Sequence, residues 1–437
     1  MSALARYFHH SGVQITGYDR DKTALTKKLE AIGIDIQYDF DADMIKDPID
    51  TVIYTPAIKP DQPEFKYFDE LGIEMLKRSE ALMKVLADKK VIAIAGTHGK
   101  TSTAAILAHI LYYNDFGATA FVGGIMNNYQ SNFIYGDSPW VIIEADEYDR
   151  SFWRLFPDIA IIQAMDADHL DIYGTEMEMV DAYKVFTLQM KTGGHLWIES
   201  GVNDNRLTTN WYNELNEREI EVHTFGLSSG DMTISSLDEN EGVSKFQISE
   251  SLAEYVLKMP GAHNVQNALA AIGVSEFLGL EDGDIAEAIR AFSGIQRRFQ
   301  YVLRTPEIIV IDDYAHHPME IRAAIQAARK HHPGRKLTVV FQPHLYSRTR
   351  DFMSDFAYEL GEADELVLVE LYPAREKPIT GINSEALLSL VKLEKKYFIT
   401  KEKLVAFLQT DKRNLILLLG AGDVYKLHEE IKLAYNR

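Results

Sequence analysis

The stretch from Val91 to Tyr113 constrains this chain more than any other. A short apolar run, Val91 to Ala95, reads as a buried strand. A turn with two Gly and one Lys follows, and then an apolar-periodic segment rich in helix formers. Such a turn, from Gly96 through Thr97, His98, Gly99 and Lys100 to Thr101 and Ser102, aims successive backbone N–H groups at the start of a helix whose dipole favours anions. Lys100 adds a point charge for phosphate oxygens, and the Thr101 hydroxyl is placed to ligate magnesium. The general nucleotide-loop pattern asks for a Gly where this chain has Ile94, so the tighter form Gly96-x-x-Gly99-Lys100-Thr101 carries the reading. A chance Gly-Lys-Thr in a turn is the alternative, and the strand–turn–helix setting weighs against it. The expectation is an ATP site.

At 437 residues the chain exceeds one ordinary core, and two or three domains are expected. A net charge of −20 disfavours a nucleic-acid or anionic-membrane surface. The absence of Cys excludes disulfides, thiolate metal sites and thiol catalysis, and suits a reducing cytoplasm. No run approaches the ~18 apolar residues of a membrane span.

Residues 1 to 88 alternate helical and short apolar runs: helix Ser2 to His10, strand Val13 to Tyr18, helix Lys22 to Ile32, strand Thr51 to Thr55. This is the rhythm of a small doubly wound α/β unit that begins on a helix, without the usual leading strand and Gly-rich turn. Residues 89 to 302 hold the phosphate turn and two further buried strands, Trp140 to Glu144 and Ile159 to Ala164. The first ends in Glu144, Asp146, Glu147 and Asp149, the second in Asp166, Asp168, His169 and Asp171. Acids beyond strand ends fit an open parallel sheet, where ligands sit at the carboxyl edge. From Leu196 to about Val256 the chain reads as β-rich, and helices return at Asn264 to Leu278 and Asp284 to Phe292. Residues 303 to 437 restart the alternation with strands Glu307 to Ile311, Leu337 to Phe341, Glu365 to Leu371 and Leu415 to Leu419, a second doubly wound unit.

Thr101 and Glu144 are candidates for one magnesium ion bridging ATP phosphates, and His169 for a second metal. The alternatives are a solvated strand-end acid and a capping or core histidine. Asp146, Glu147 and Asp149 read as local electrostatics or substrate positioning. Asn264 and Asn267 open a helix and either cap it or read an adenine edge. Arg297 and Arg298 form either a solvated face or a guanidinium reaching a γ-phosphate. Arg348 could clamp a carboxylate or phosphate bidentately, with Tyr314, His316 and His344 as orienters.

Seven motifs occur in order: Gly96 to Thr101, Glu144 to Phe152, Asp166 to Gly174, His263 to Asn267, Arg297 to Phe299, Asp312 to Pro318, and Gly420 to Asp423. Together they resemble the Mur ligases of bacterial cell-wall synthesis, over essentially the whole chain. The resemblance implies an α/β protein of three domains: a truncated Rossmann-like UDP-binding domain, a central ATPase with a parallel sheet, and a Rossmann-like domain receiving the amino acid. Members open on a strand and Gly-rich turn that Met1 to Leu4 would directly follow, so the first domain is expected without them.

The resemblance further implies ATP and Mg2+, with UDP-N-acetylmuramate and L-alanine as substrates. Lys100 would hold phosphates, Thr101 and Glu144 the first ion, and His169 the second. Asn264 would read adenine, with Asn267 and Asp313 also on the nucleotide. Arg298 would meet the γ-phosphate, His316 and Arg348 the incoming alanine and transferring phosphate, and Asp19 and Thr55 to Ile58 the UDP group. Rival readings are a sister ligase for a recycled tripeptide, a folate-polyglutamate-type ligase, and a non-catalytic nucleotide switch. Nothing in the sequence selects between monomer and homodimer.

Overall fold

A computed structural model describes the chain except for residues 46–47, 56–57, 167–172, 241, 375 and 436–437. There are two compact units: Met1–Ser235, Ile248–Ala253 and Gln266–Ala291, and Ser236–Gln247, Glu254–Val265 and Phe292–Arg437. Among the described residues no helix is long and apolar enough to cross a membrane.

A seven-stranded sheet organises the first unit, in the order Glu221–Phe225, His195–Glu199, Ile159–Ile162, Lys90–Ala95, Trp140–Glu144, Thr119–Met126, Ser131–Ile134. Its neighbours run parallel except for the final pair. From Val91 to Ala95 no residue is more than 3% exposed, because a central parallel strand is covered on both faces and must be apolar throughout. The helix that follows, Lys100–Tyr113, is buried from Ser102 to Leu111, so it lies inside its layer rather than on it.

The amino-terminal part forms two parallel pairs, Thr16–Tyr18 with Asp35–Gln37 and Thr51–Tyr54 with Glu74–Lys77. The helix Ser2–His10 packs its Tyr7 ring against Phe121, 5.8 Å between centroids. The strand expected from Val13 starts only at Thr16, since the Val13 N–H closes the preceding helix on the Phe8 carbonyl at 3.0 Å.

The stretch read as β-rich is so only in its later half. Helices Ser200–Arg206 and Thr209–Glu217 separate two strands of the main sheet, and a three-stranded sheet follows from Ile234–Asn240, Val243–Ile248 and Glu254–Leu257. Glu199 and Thr208 start the two helices by accepting the N–H groups of Val202 and Trp211.

The second unit's sheet has six strands, not four: Gln300–Arg304, Ile309–Asp313, Leu415–Leu419, Leu337–Phe341, Glu365–Leu368, Lys396–Phe398. The first pair is antiparallel and the rest parallel. Gln300–Arg304 spans the 302/303 division expected from sequence and pairs with the later strand.

Inside the first unit, His109 lies in the helix after the phosphate turn. Its Nε2 is 2.9 Å from the Ala288 carbonyl and its Nδ1 2.6 Å from the Tyr129 hydroxyl. A carbonyl only accepts, so Nε2 carries the proton and Nδ1 accepts from Tyr129. Burial lowers this imidazole's pKa to about 4, against the opposing pull of the Ala288 carbonyl. The unfolded chain therefore binds a proton between the ordinary 6.5 and about 4 that the folded chain refuses. Stability should fall as pH drops through that window, by up to about 3 kcal/mol from this group. Urea titrations of wild type and His109→Gln from pH 7 to 4 check this: the variant's pH dependence should be flatter by that amount.

Candidate active site

The phosphate turn leaves the sheet between two strand ends and is shaped by backbone space. Gly96 has φ +136° and Gly99 φ +83°, both in the region that disfavours side chains. A Cβ on Gly96 would stand 2.9 Å from the Ala164 nitrogen and 3.1 Å from the His98 carbonyl oxygen. One on Gly99 would press on Asn267 and come within 3.3 Å of the Gln163 Cβ. The cradle is one that glycine alone leaves open, as a phosphate held by backbone N–H groups needs. Thr97 ties the turn to the next strand end: its N–H donates to the Ala164 carbonyl at 3.1 Å, and its hydroxyl accepts the Asp166 N–H at 3.1 Å. His98 lies 3.8 Å from the Asp166 carboxylate. Ser102 is buried in the first helical turn.

Thr101 donates its hydroxyl to Glu144 at 3.0 Å, and the other Glu144 oxygen accepts the Gly123 N–H at 2.5 Å. A hydroxyl and a carboxylate side by side are the hard oxygen donors magnesium takes, so the residues present fit that ion. Lys100 bonds the Gly96 carbonyl at 2.5 Å and both oxygens of Glu147 at 2.8 Å. Glu147 is 1% exposed while Asp146 beside it is exposed. The Glu147 backbone is pinned too, its carbonyl accepting the Tyr173 hydroxyl at 2.5 Å. Sequence reasoning placed Glu147 among local electrostatics but could not say which acid turns inward. It also passed over Gln163, which donates to the Thr103 hydroxyl at 2.7 Å, and Gly123. His169, expected as a second metal ligand, lies outside the described residues, with Asp168 and Asp171.

The two Asn candidates separate. Asn267 is buried against Gly99, at the phosphate turn. Asn264, in the second unit, donates its amide to the Pro260 carbonyl at 2.8 Å across the helix start.

The remaining candidates also belong to the second unit. Asp313 ends its strand with one carboxylate oxygen accepting the Phe299 N–H at 2.7 Å and the other the Ala315 N–H at 2.8 Å. Burial pushes this acid up to about 6, with Arg298 and the two N–H groups pulling the other way. Arg298 lies over the Tyr314 ring at 5.2 Å. Arg297 is committed elsewhere: it sits between the rings of Tyr314 and Tyr425 and donates to the Gly420 carbonyl.

His316 is 2.9 Å from the Tyr314 carbonyl and 3.2 Å from Glu320 through Nδ1. Its ring meets that of His344 edge-on at 6.2 Å. Burial first, then the charges of His316 and Arg348, lower the His344 pKa to about 4, which leaves it neutral at ordinary pH. Arg348 is half-buried and pairs with no carboxylate among the described residues. The structure thus groups Arg298, Asp313, Tyr314 and His316, and sets His344 and Arg348 beside them.

Residues 94–275 match the Mur ligase middle domain, 297–422 the Mur ligase glutamate ligase domain, and 1–90 the Mur ligase family catalytic domain. A UDP-N-acetylmuramate–L-alanine ligase of Cytophaga hutchinsonii is 40% identical, covering 99% of this chain and 94% of its own. The solved UDP-N-acetylmuramate-alanine ligase of Thermotoga maritima superposes with a TM-score of 0.84 at 30% identity, covering 100% of this chain and 96% of that one. A murein peptide ligase from Psychrobacter arcticus shares the fold, with a TM-score of 0.71 at 21% identity over 99% of this chain and 96% of its own.

The Lys100–Glu147 pair, with side chains 18% and 2% exposed, has a direct consequence. Glu147→Gln leaves the ammonium charge in the turn with no carboxylate on it, which should lower stability by ~2–4 kcal/mol in the nucleotide-free protein. Phosphates bound at this turn would resupply the missing negative charge. Saturating ADP should therefore raise the melting temperature of Glu147→Gln more than that of wild type, as scanning calorimetry with and without ADP would read. Equal increments would mean that the phosphates do not meet Lys100.

Proposed function

Because the chain belongs to the Mur ligase family, we propose that it joins L-alanine to the carboxylate of UDP-N-acetylmuramate at the expense of ATP. The products are ADP, phosphate and a peptidoglycan precursor, and the reaction would take place in the cytoplasm. The observation that supports the reading is that Thr101 bonds Glu144, and Lys100 the Gly96 carbonyl, at a turn where Gly96 and Gly99 leave no room for a Cβ.

A muramate carboxylate oxygen attacks the γ-phosphorus, the bond to the bridging oxygen breaks, and ADP leaves. The resulting acyl phosphate is an activated carbonyl. The neutral amine of L-alanine adds to it, phosphate departs with the C–O bonding pair, and the nitrogen loses its extra proton to give the amide. The obstacle to the first step is the approach of two anions. A magnesium ion held by Thr101 and Glu144, and a second at His169, would supply positive charge against the phosphates. Lys100 contributes the same from the protein side, exchanging its Glu147 partner for phosphate oxygens.

Arg298 is assigned to the γ-phosphate, Arg348 to the transferring phosphate and His316 to the alanine. Each half-buried guanidinium offers a fork of donors matched to an oxyanion. Asn264 is assigned to the adenine, with Asn267 and Asp313 also on the nucleotide side. Asp19 and Thr55 to Ile58 would lie near the UDP group; of these, residues 56–57 lie outside the described residues. Exclusion of water protects the acyl phosphate from hydrolysis.

Phosphate release with UDP-N-acetylmuramate and ATP should depend on L-alanine. Substituting the recycled tripeptide should give at most a small fraction of that rate. Lys100→Ala should lower turnover at least ~100-fold while leaving the apparent affinity for UDP-N-acetylmuramate within a few-fold, because its charge acts where phosphate charge develops. Near-normal turnover in that variant would refute the assigned role. Tripeptide-dependent release without an alanine response would favour the sister activity. Nucleotide binding with no release at all would leave a switch.

A further inference from the structure

At the opposite edge of the main sheet from the phosphate turn, two strands begin with ligand-bearing residues. His195 opens His195–Glu199, and Glu221 opens the edge strand Glu221–Phe225. The pairing is parallel, with His195 opposite Glu221 and Trp197 opposite His223. Side chains alternate along a strand, so His195, Trp197, Glu221 and His223 all project from one face. The Nδ1 of His195 and the Nε2 of His223 face each other at 3.1 Å. The Glu221 carboxylate reaches both with different oxygens, Oε2 at 3.6 Å from the first and Oε1 at 3.9 Å from the second, and one ligand atom from each of the three residues can be chosen within 4.8 Å of the others.

We propose that His195, Glu221 and His223 form a transition-metal site of the zinc class that clips the edge strand to its neighbour. A tetrahedral ion with bonds of ~2.0–2.1 Å keeps its ligand atoms about 3.3 Å apart. The two imidazole nitrogens already stand near that separation, and a turn of the exposed Glu221 side chain brings one of its oxygens to them. Two imidazoles and a carboxylate are the nitrogen and oxygen donors that zinc takes, and a water completes the four.

The rings are held in place without the ion. His223 stacks on Trp197 with centroids 4.6 Å apart and planes 18° apart, and His195 lies 4.1 Å from the Phe277 ring. Trp197 itself packs over Gly273, where no side chain is in the way. Glu221, with its side chain 66% exposed, leaves the cluster open to solvent on one side. On its outer side the edge strand is held only near its end, by the bridge of Phe225 to Met232, and a cross-strand ligand set adds to its hold at the start. His195 and Glu221 lie four residues, roughly 13 Å, from the carboxyl ends of their strands, and His195–Glu199 is three strands, roughly 14 Å, from Trp140–Glu144. The cluster is therefore separate from the magnesium donors at Thr101 and Glu144.

The test titrates chelator-cleared full-length protein with zinc chloride in excess magnesium, by calorimetry and thermal melting, for wild type, Glu221→Gln and His223→Gln. Wild type should take up one zinc ion with a rise in melting temperature, since an ion bound only by the folded chain stabilises it. Glu221→Gln, whose side chain is largely in solvent and whose fold is not at risk, should bind at least tenfold more weakly. His223→Gln should lose the site. Unchanged affinity in both variants would place the ion elsewhere, and no saturable binding in wild type would leave a hydrogen-bonded imidazole pair; either result overturns the proposal.

Discussion

The parallel register around Lys90–Ala95 is the constraint from which the rest of the first unit follows. Glu144 lies level with Ile94 on one side, and Ile162 level with Ala95 on the other. The ladder runs on for one more residue, with the Ala145 N–H on the Ile94 carbonyl at 2.8 Å and the Gln163 N–H on the Ala95 carbonyl at 3.1 Å. Three chains therefore leave the sheet side by side, about 4.8 Å apart. A slip of one residue would turn every buried side chain to the other face, and both faces are filled, so the register is held firmly. The next residue of the central strand must then pass directly over Ala164, which is why Gly96 stands there.

Charge is placed on this edge at a cost. Burying Glu147 against Lys100 strips water from both ions, and their attraction offsets that loss only if the geometry is kept. The flanking structure keeps it. The Tyr173 hydroxyl holds the Glu147 carbonyl, and Phe152, a few residues on, stacks on Phe186 at 5.0 Å inside the core. On the proposed reading, an incoming phosphate would compete with a carboxylate already in position.

The second unit repeats the scheme with different residues. Leu415–Leu419 is fully buried between two parallel neighbours, and polar groups again gather beyond the strand ends. Gln342 donates to Asp423 at 2.9 Å, and Lys401 reaches the same carboxylate at 2.6 Å. At the other end of the sheet Arg413 forks onto Glu365 at 2.7 and 2.8 Å. Burial would raise the Glu365 pKa, but Arg413 and the Thr338 hydroxyl outweigh it and the carboxyl ends below its usual range. Its contribution to stability is present above the unfolded carboxylate pKa and is lost as pH falls through the lowered one.

The phosphate turn is a local pattern: two glycines at positive φ, a lysine and a threonine, between an apolar run and a helix. The central strands are continuous apolar runs because both their faces are covered. The outer strands Glu74–Lys77, Ser131–Ile134 and Lys396–Phe398 leave no mark in the sequence, since such short strands owe their form to a neighbour rather than to their own alternation. Nor do the helices Ser200–Arg206 and Thr209–Glu217, whose polar caps lie inside a stretch with weak periodicity. Of the neighbouring acids at the end of Trp140–Glu144, only packing decides that Glu147 turns to Lys100. Of the paired arginines, only the Tyr314 and Tyr425 rings decide that Arg297 is anchored. Sequence by itself determined which backbone conformations and charges were available at each turn, because those depend on adjacent residues. Tertiary structure alone decided which charges meet, because that depends on strand register and on residues far apart in the chain.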